Sequence, residues 1–209
     1  MQTLILILEL IGTVAFAISG AMTALKKNMD IFSVAILGLT TEVGGGAIRD
    51  ILLGTTPPVM FREPVYALLA IFVSVVVFIP SVRRLLTRRQ SLYEHMMLVM
   101  DSIGLGVFTV VGINTAYGVS DDFNLFLLIF VGTVTGVGGG VLRDVLAGNT
   151  PYIFVKHIYA SASLAGALVC ALLWRPLGEM PAMLLGGGLV ILIRCLSAHF
   201  RWNLPRAHE

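Results

Sequence analysis

The stretch Val43-Gly44-Gly45-Gly46-Ala47-Ile48-Arg49-Asp50 returns as Val137-Gly138-Gly139-Gly140-Val141-Leu142-Arg143-Asp144, each copy in the second half of an apolar run long enough to cross a membrane. Both halves of the motif are costly in that setting. Glycine costs about 1 kcal/mol against alanine inside a helix, and an ionisable group at mid-bilayer depth costs about 3 kcal/mol or more, so it usually faces a cavity or a partner. A locally unfavourable pattern present twice marks a site that the rest of the chain has to accommodate.

The surrounding sequence admits one class. With 57% hydrophobic and 12% charged residues and a mean hydropathy of +0.92, the chain would expose too much apolar surface to be a soluble domain. It reads as an all-α integral membrane protein. Apolar runs of about 17–25 residues, matched to a hydrocarbon core of about 30 Å, predict seven spans at roughly 4–25, 31–53, 64–81, 96–117, 124–147, 153–174 and 182–199. The first run lacks a basic leader and a small-residue cleavage site, so it reads as a mature span. Cys170 and Cys195 lie inside apolar runs without metal or disulfide spacing and read as packing residues. Basic residues are dispersed between apolar segments, which offers no face for nucleic acid. The sequence contains no Gly-x-Ser-x-Gly elbow and no His-Glu-x-x-His pair, so neither an enzyme nor a cofactor is expected.

Lys26, Lys27, Arg83, Arg84, Arg88, Arg89, Lys156, Arg201 and Arg206 all fall in connections on one side of these spans. The opposite connections hold Arg62 with Glu63, Asp121 with Asp122, and Arg175 with Glu179. The excess of basic residues places the first side in the cytoplasm, with the N-terminus outside and the C-terminus inside a cell membrane. The arginine cluster at 83–89 also suits anionic headgroups. Trp174 and Trp202 fit the interfacial belts. His95 and His157 begin spans and read as solvated helix ends.

The repeat extends beyond the glycines. Glu9-Leu10-Ile11-Gly12 aligns with Asp101-Ser102-Ile103-Gly104, Phe16 with Phe108, Gly20 with Gly112, Pro57 with Pro151 and Tyr66-Ala67 with Tyr159-Ala160. Residues 4–81 and 96–174 are thus two copies of a three-span unit within one membrane domain, and 182–199 is an extra seventh span. Because each unit has an odd number of spans, the second is inserted upside down, the arrangement in which substrate paths run between the two halves along broken helices.

Gly44, Gly45, Gly46, Gly138, Gly139 and Gly140 permit a bend whose exposed carbonyls replace part of a cation's hydration shell; the alternative is close packing of helices through small residues. Packing is preferred for Gly186, Gly187 and Gly188, which lack Arg-Asp. Adjacent residues on a helix do not face each other, so Arg49 and Arg143 are expected to find partners beyond their neighbours Asp50 and Asp144, bracing the bends, while the carboxylates either join that network or draw cations to the mouths. Glu42 is an intramembrane carboxylate and so a candidate on the ion path. Gly136 stands at its place in the second copy. Glu9 and Asp101 read either as counter-charges for the arginines or as wet helix ends. Thr40, Thr41, Thr133 and Thr135 offer either pore hydroxyls or bonds to their own backbone.

The doubled Gly-Gly-Gly-x-x-Arg-Asp motif in a three-plus-three-plus-one layout resembles the prokaryotic branch of the trimeric intracellular cation (TRIC) channels over residues 4–199. The resemblance implies a homotrimer in the lipid bilayer with one hourglass pore per subunit. That pore would be lined by kinked second and fifth spans and permeable to potassium and sodium, with no bound group beyond the permeating ions and lipid. The same sequence domain carries a glycine-transporter label, so a small-solute carrier is the alternative. Animal members of the family link basic residues on the fourth span to voltage response; Met96 to Tyr117 contains no Lys or Arg here.

Overall fold

The computed structural model describes residues 2–120, 122–155 and 158–202. Asp121, Lys156, His157 and Arg206, which entered the reading above, lie outside the described residues. The regular elements described are all helices: α1 (Gln2–Lys26), α2 (Ile31–Leu52), α3 (Val59–Arg62), α4 (Val65–Phe78), α5 (Pro80–Thr87), α6 (Gln90–Val119), α7 (Leu125–Leu146), α8 (Tyr152–Val155), α9 (Ala160–Leu177) and α10 (Glu179–His199). Among the described residues, six are long and apolar enough to cross a membrane, and a seventh span is reached when α4 and α5 are counted together.

That third span departs from expectation. Its apolar run over 64–81 is not one helix, because α5 turns away from α4 by 79°. Ile79 is extended, with ψ 132°, as a residue before proline prefers, and Pro80 opens the new helix at its first position. The sixth span starts at Ala160 instead of 153, because Tyr152–Val155 form the separate turn α8. The fourth starts early, at Gln90.

Matching devices fix the ends of α2 and α7. Asp30 Oδ1 accepts the Ser33 N–H at 2.7 Å, and Asn124 Oδ1 accepts the Leu127 N–H at 2.8 Å, so each helix begins on a side-chain cap. The bond from the Ser33 amide holds the exposed Asp30 carboxyl below its ordinary pKa. At the other ends Gly54 and Gly148 adopt φ +69° and +66°. The Thr55 N–H returns to Asp50 O and the Asn149 N–H to Asp144 O, each at 2.8 Å, which satisfies carbonyls the helix leaves open. Nothing lies within 4 Å of a Cβ built at Gly54. Gly54→Ala therefore meets only the left-handed backbone penalty of about 1 kcal/mol, and its melting temperature in detergent should fall by about 2–4 °C.

Three apolar clusters hold the helices together among the described residues, two of them large. One gathers Val110, Ile113, Val131, Cys170 and Met183 from α6, α7, α9 and α10. The other gathers Met22, Val34, Leu37, Val77 and Met97 from α1, α2, α4 and α6. Trp174 stacks on Tyr117 at 4.6 Å beside the first cluster. Phe32, Phe72, Phe126 and Phe154 instead point outward and are each at least 66% exposed. A surface of that kind is stable only against lipid or other protein.

Candidate functional site

The helical hydrogen bonding of α2 and α7 runs without interruption through both glycine triplets. Neither triplet splits its span into two helices; glycine keeps its N–H and C=O there, and its missing Cβ is used for contact. A Cβ at Gly45 would stand 2.0 Å from the Thr135 carbonyl oxygen, and one at Gly139 would stand 1.9 Å from that of Thr41. The two backbones thus meet across a reciprocal crossing that only glycine allows. Gly44 faces Leu142, Gly138 faces Gly45, and Gly140 faces the Tyr159 hydroxyl. Gly46 is the open member, with only the Arg49 guanidinium near it, 3.7 Å from the built Cβ. Thr41 and Thr135 are buried in the crossing and donate to their own helix, to Leu37 O at 2.6 Å and Val131 O at 2.7 Å. Gly186 and Gly187 of α10 pack against Gly166, Cys170 and the Gly106 carbonyl, as small-residue packing predicts, whereas Gly188 is exposed with nothing within 4 Å of a built Cβ.

A charged cluster caps each side of the crossing. In the first, Arg49 Nε donates to Asp50 Oδ1 at 2.8 Å, and Asp50 Oδ2 accepts the Val59 N–H at 2.8 Å, tying α3 to the end of α2. Tyr66 OH donates to Glu9 Oε2 at 2.6 Å, and Thr13 Oγ1 donates to Glu42 Oε1 at 3.2 Å. These side chains and Gly46 line a cavity of about 70 Å³.

In the second, Arg143 Nε donates to Asp144 Oδ1 at 2.8 Å, and Asp144 Oδ2 accepts the Tyr152 N–H at 2.9 Å, tying α8 to the end of α7. Arg143 Nη1 also reaches Asp101 Oδ1 at 2.6 Å and Ser19 Oγ of α1. Tyr159 OH donates to the same Asp101 oxygen at 3.4 Å. Arg194 of α10 stands 3.8 Å from Asp101 Oδ2, covers the Tyr159 ring at 4.8 Å and donates to Ile158 O at 3.2 Å. Arg194, Tyr152, Lys26 and Arg201 border a second cavity of about 710 Å³. The two cavities are separated along α1, one beside its middle at Glu9 and Thr13 and the other at its C-terminal end, where Lys26 is about 20 Å beyond Thr13 at about 1.5 Å per residue.

The structure corrects one expectation about these pairs: each arginine does bond its own neighbouring aspartate. The long guanidinium stem curls back over the last helical turn, and the aspartate, anchored from the other side by an amide of the following segment, is held where it can be reached. Among the described residues, the more distant partners expected for the arginines are found for Arg143 alone. Arg194, Tyr66, Tyr159, Thr13 and Ser19 were not singled out in advance for this site. Arg194 did carry a signal, a lone cation inside an apolar run.

These crossing helices, with polar clusters buried between them, define a multi-pass helical membrane protein. The glycine-transporter family model matches residues 6–81 and again 98–175. The chain is 35% identical over 200 residues to the inner membrane protein YadS of Escherichia coli K12, a UPF0126 protein, covering 94% of this chain and 92% of that one. It is 34% identical over 199 residues to the UPF0126 membrane protein YvgT of Bacillus subtilis, covering 95% and 94%. Among solved structures it resembles a TRIC cation channel at TM-score 0.84 and 37% identity over 97% of both chains. It also resembles a prokaryotic TRIC channel crystallised in 0.5 M KCl at TM-score 0.88 and 31% identity, over 98% of this chain and all of that one. The orthologue from Rhodobacter sphaeroides matches at TM-score 0.86 and 33% identity over 96% and 100%. The protein belongs to the TRIC cation channel family.

Proposed function

We propose that the protein is a monovalent cation channel, conducting potassium and sodium through one pore in each subunit of a homotrimer. The observation that carries this reading is the glycine crossing of α2 and α7 with a polar cavity on either side of it. A continuous aqueous path needs only that this crossing loosen, and Gly46, Gly140 and the carbonyls of the triplets are then the groups that meet the ion. Arg49–Asp50 and Arg143–Asp144 brace the two helix ends, and Glu42 and Glu9 supply negative potential at the outer mouth. The inverted repeat is part of the same proposal. It is supported by the two segments that one family model matches and by the paired bonds Asp50 to Val59 and Asp144 to Tyr152. The basic residues then face the cytoplasm, with the Arg49 cluster outside and the Arg143 cluster inside.

Recording from purified protein in planar bilayers under a KCl gradient tests this. Discrete currents reversing near the potassium potential are expected. Conductance should vary little with voltage, because α6 carries no Lys or Arg within Met96–Tyr117. Electrical silence from folded protein that takes up labelled glycine would overturn the channel in favour of a small-solute carrier, the second reading, which the family description favours.

A further inference from the structure

The two charged clusters match position for position in Arg49 and Arg143, Asp50 and Asp144, Glu9 and Asp101, and Tyr66 and Tyr159, but their charges do not match. The second cluster sets Asp101 and Asp144 against Arg143 and Arg194, and it closes at zero. The first sets Glu9, Glu42 and Asp50 against Arg49 alone. Arg194 comes from α10, which has no counterpart, and Glu42 stands where the second repeat has Gly136. With its three carboxyls ionised, the first cluster is therefore two positive charges short, and one monovalent cation would halve the deficit.

Asp101 Oδ2 in the second cluster also lacks a hydrogen bond among the described residues, but Arg194 stands 3.8 Å from it; Glu42 shows where the shortage is felt. Its residue is 8% exposed, and one carboxylate oxygen takes the Thr13 hydroxyl. The other, Oε2, is buried on the wall of the cavity with no hydrogen-bond partner among the described residues. A buried carboxylate without a partner is costly unless it takes up a proton or a cation meets it, and the second remedy also answers the charge shortage around it.

We propose that this cavity is a binding site for a dehydrated or partly dehydrated monovalent metal cation, held by Glu42 Oε2 with the Thr13 hydroxyl oxygen and Glu9. The cation occupies in the first repeat the electrostatic place that Arg194 fills in the second. Potassium and sodium are the ligands of the right class, because the donors are few, oxygen-only and fixed on two helices. A hydrated divalent ion would keep more of its water than about 70 Å³ accommodates. Arg49, locked to Asp50, borders the site without entering its donor set. The proposal rests on the cation-channel reading for its biological sense, but occupancy can be measured without any current.

Thermal unfolding in detergent at fixed ionic strength, in KCl or NaCl against choline chloride, tests it. A cation that binds only the folded protein raises its melting temperature, and wild type should gain about 3 °C or more in KCl or NaCl over choline, on the scale of about 2–4 °C per kcal/mol for a chain of this size. Glu42→Gln is isosteric and keeps the Thr13 contact; it should fold and lose that gain. Thr13→Val should reduce it, and Gly188→Ala, which has nothing within 4 Å of the added Cβ, should leave it intact. Displacement of bound thallium(I) by potassium from wild type, with at least tenfold weaker thallium binding in Glu42→Gln, reads the site directly. An equal cation gain in wild type and Glu42→Gln, or none in wild type, overturns the site. Neither result touches the channel reading, which stands or falls on bilayer currents.

Discussion

Asp101→Ala is expected to destabilise the folded protomer by about 3–5 kcal/mol, the range for removing one partner of a buried ion pair. The Asp101 side chain has no exposed surface, nor has that of Arg143, which donates to it at 2.6 Å. Arg194 and the Tyr159 hydroxyl converge on the same carboxylate. Without it, two guanidinium groups face each other in an apolar interior with one carboxylate, Asp144, to share. The charge that remains, more than the contact that is lost, sets the cost. Glu9→Ala at the matching position should cost about 1 kcal/mol or less, because Glu9 is only half-buried and accepts a single bond from Tyr66. Denaturant titration of both variants in micelles, followed by tryptophan fluorescence, checks the difference. Equal losses at the two positions would mean that the clusters are equally compensated, contrary to the charge count. Adding Arg194→Met to Asp101→Ala should recover part of the loss, since it removes one of the stranded cations.

Much of this architecture is legible in the sequence because the membrane simplifies the code. The lengths of the apolar runs place α1, α2, α7 and α10 within a few residues, and the doubled motif brings α2 and α7 into prominence before any coordinates. The break at Ile79 is hidden for the same reason. Hydropathy runs unbroken from Val65 through Val82, and Pro80 reads as readily as the end of a span as a corner within one. The pairing of Tyr66 with Glu9 and of Tyr159 with Asp101 is hidden differently. Those partners lie 57 and 58 residues apart, and only packing brings them together. The repeat alignment sets both tyrosines and both acids in register but carries no information about distance. Arg194 is hidden by the same alignment, because attention given to duplicated residues passes over the one span without a copy.

The glycine triplets mark the limit of the sequence reading, since the missing Cβ serves a bend and a close approach equally well. The close approach makes a graded prediction. Gly139→Ala and Gly45→Ala should each cost about 3 kcal/mol or more, the upper end of overpacking, because the added methyl meets a backbone carbonyl oxygen at 1.9 or 2.0 Å. Neither carbonyl can turn aside without opening the helix that carries it. Gly44→Ala meets the Leu142 side chain at 2.5 Å, which can rotate, so a smaller loss is expected. Gly46→Ala meets nothing nearer than 3.7 Å and should fold as wild type does. Size-exclusion profiles and melting temperatures of the four variants give the ranking. The same set separates packing from conduction: Gly46→Ala narrows the one open face of the triplet without disturbing the crossing, so its single-channel current should fall while its melting temperature stays. If Gly45→Ala and Gly139→Ala melted like wild type, the two helices would have to stand further apart than this crossing allows. If Gly46→Ala conducted fully, the ion path would run along another face of α2.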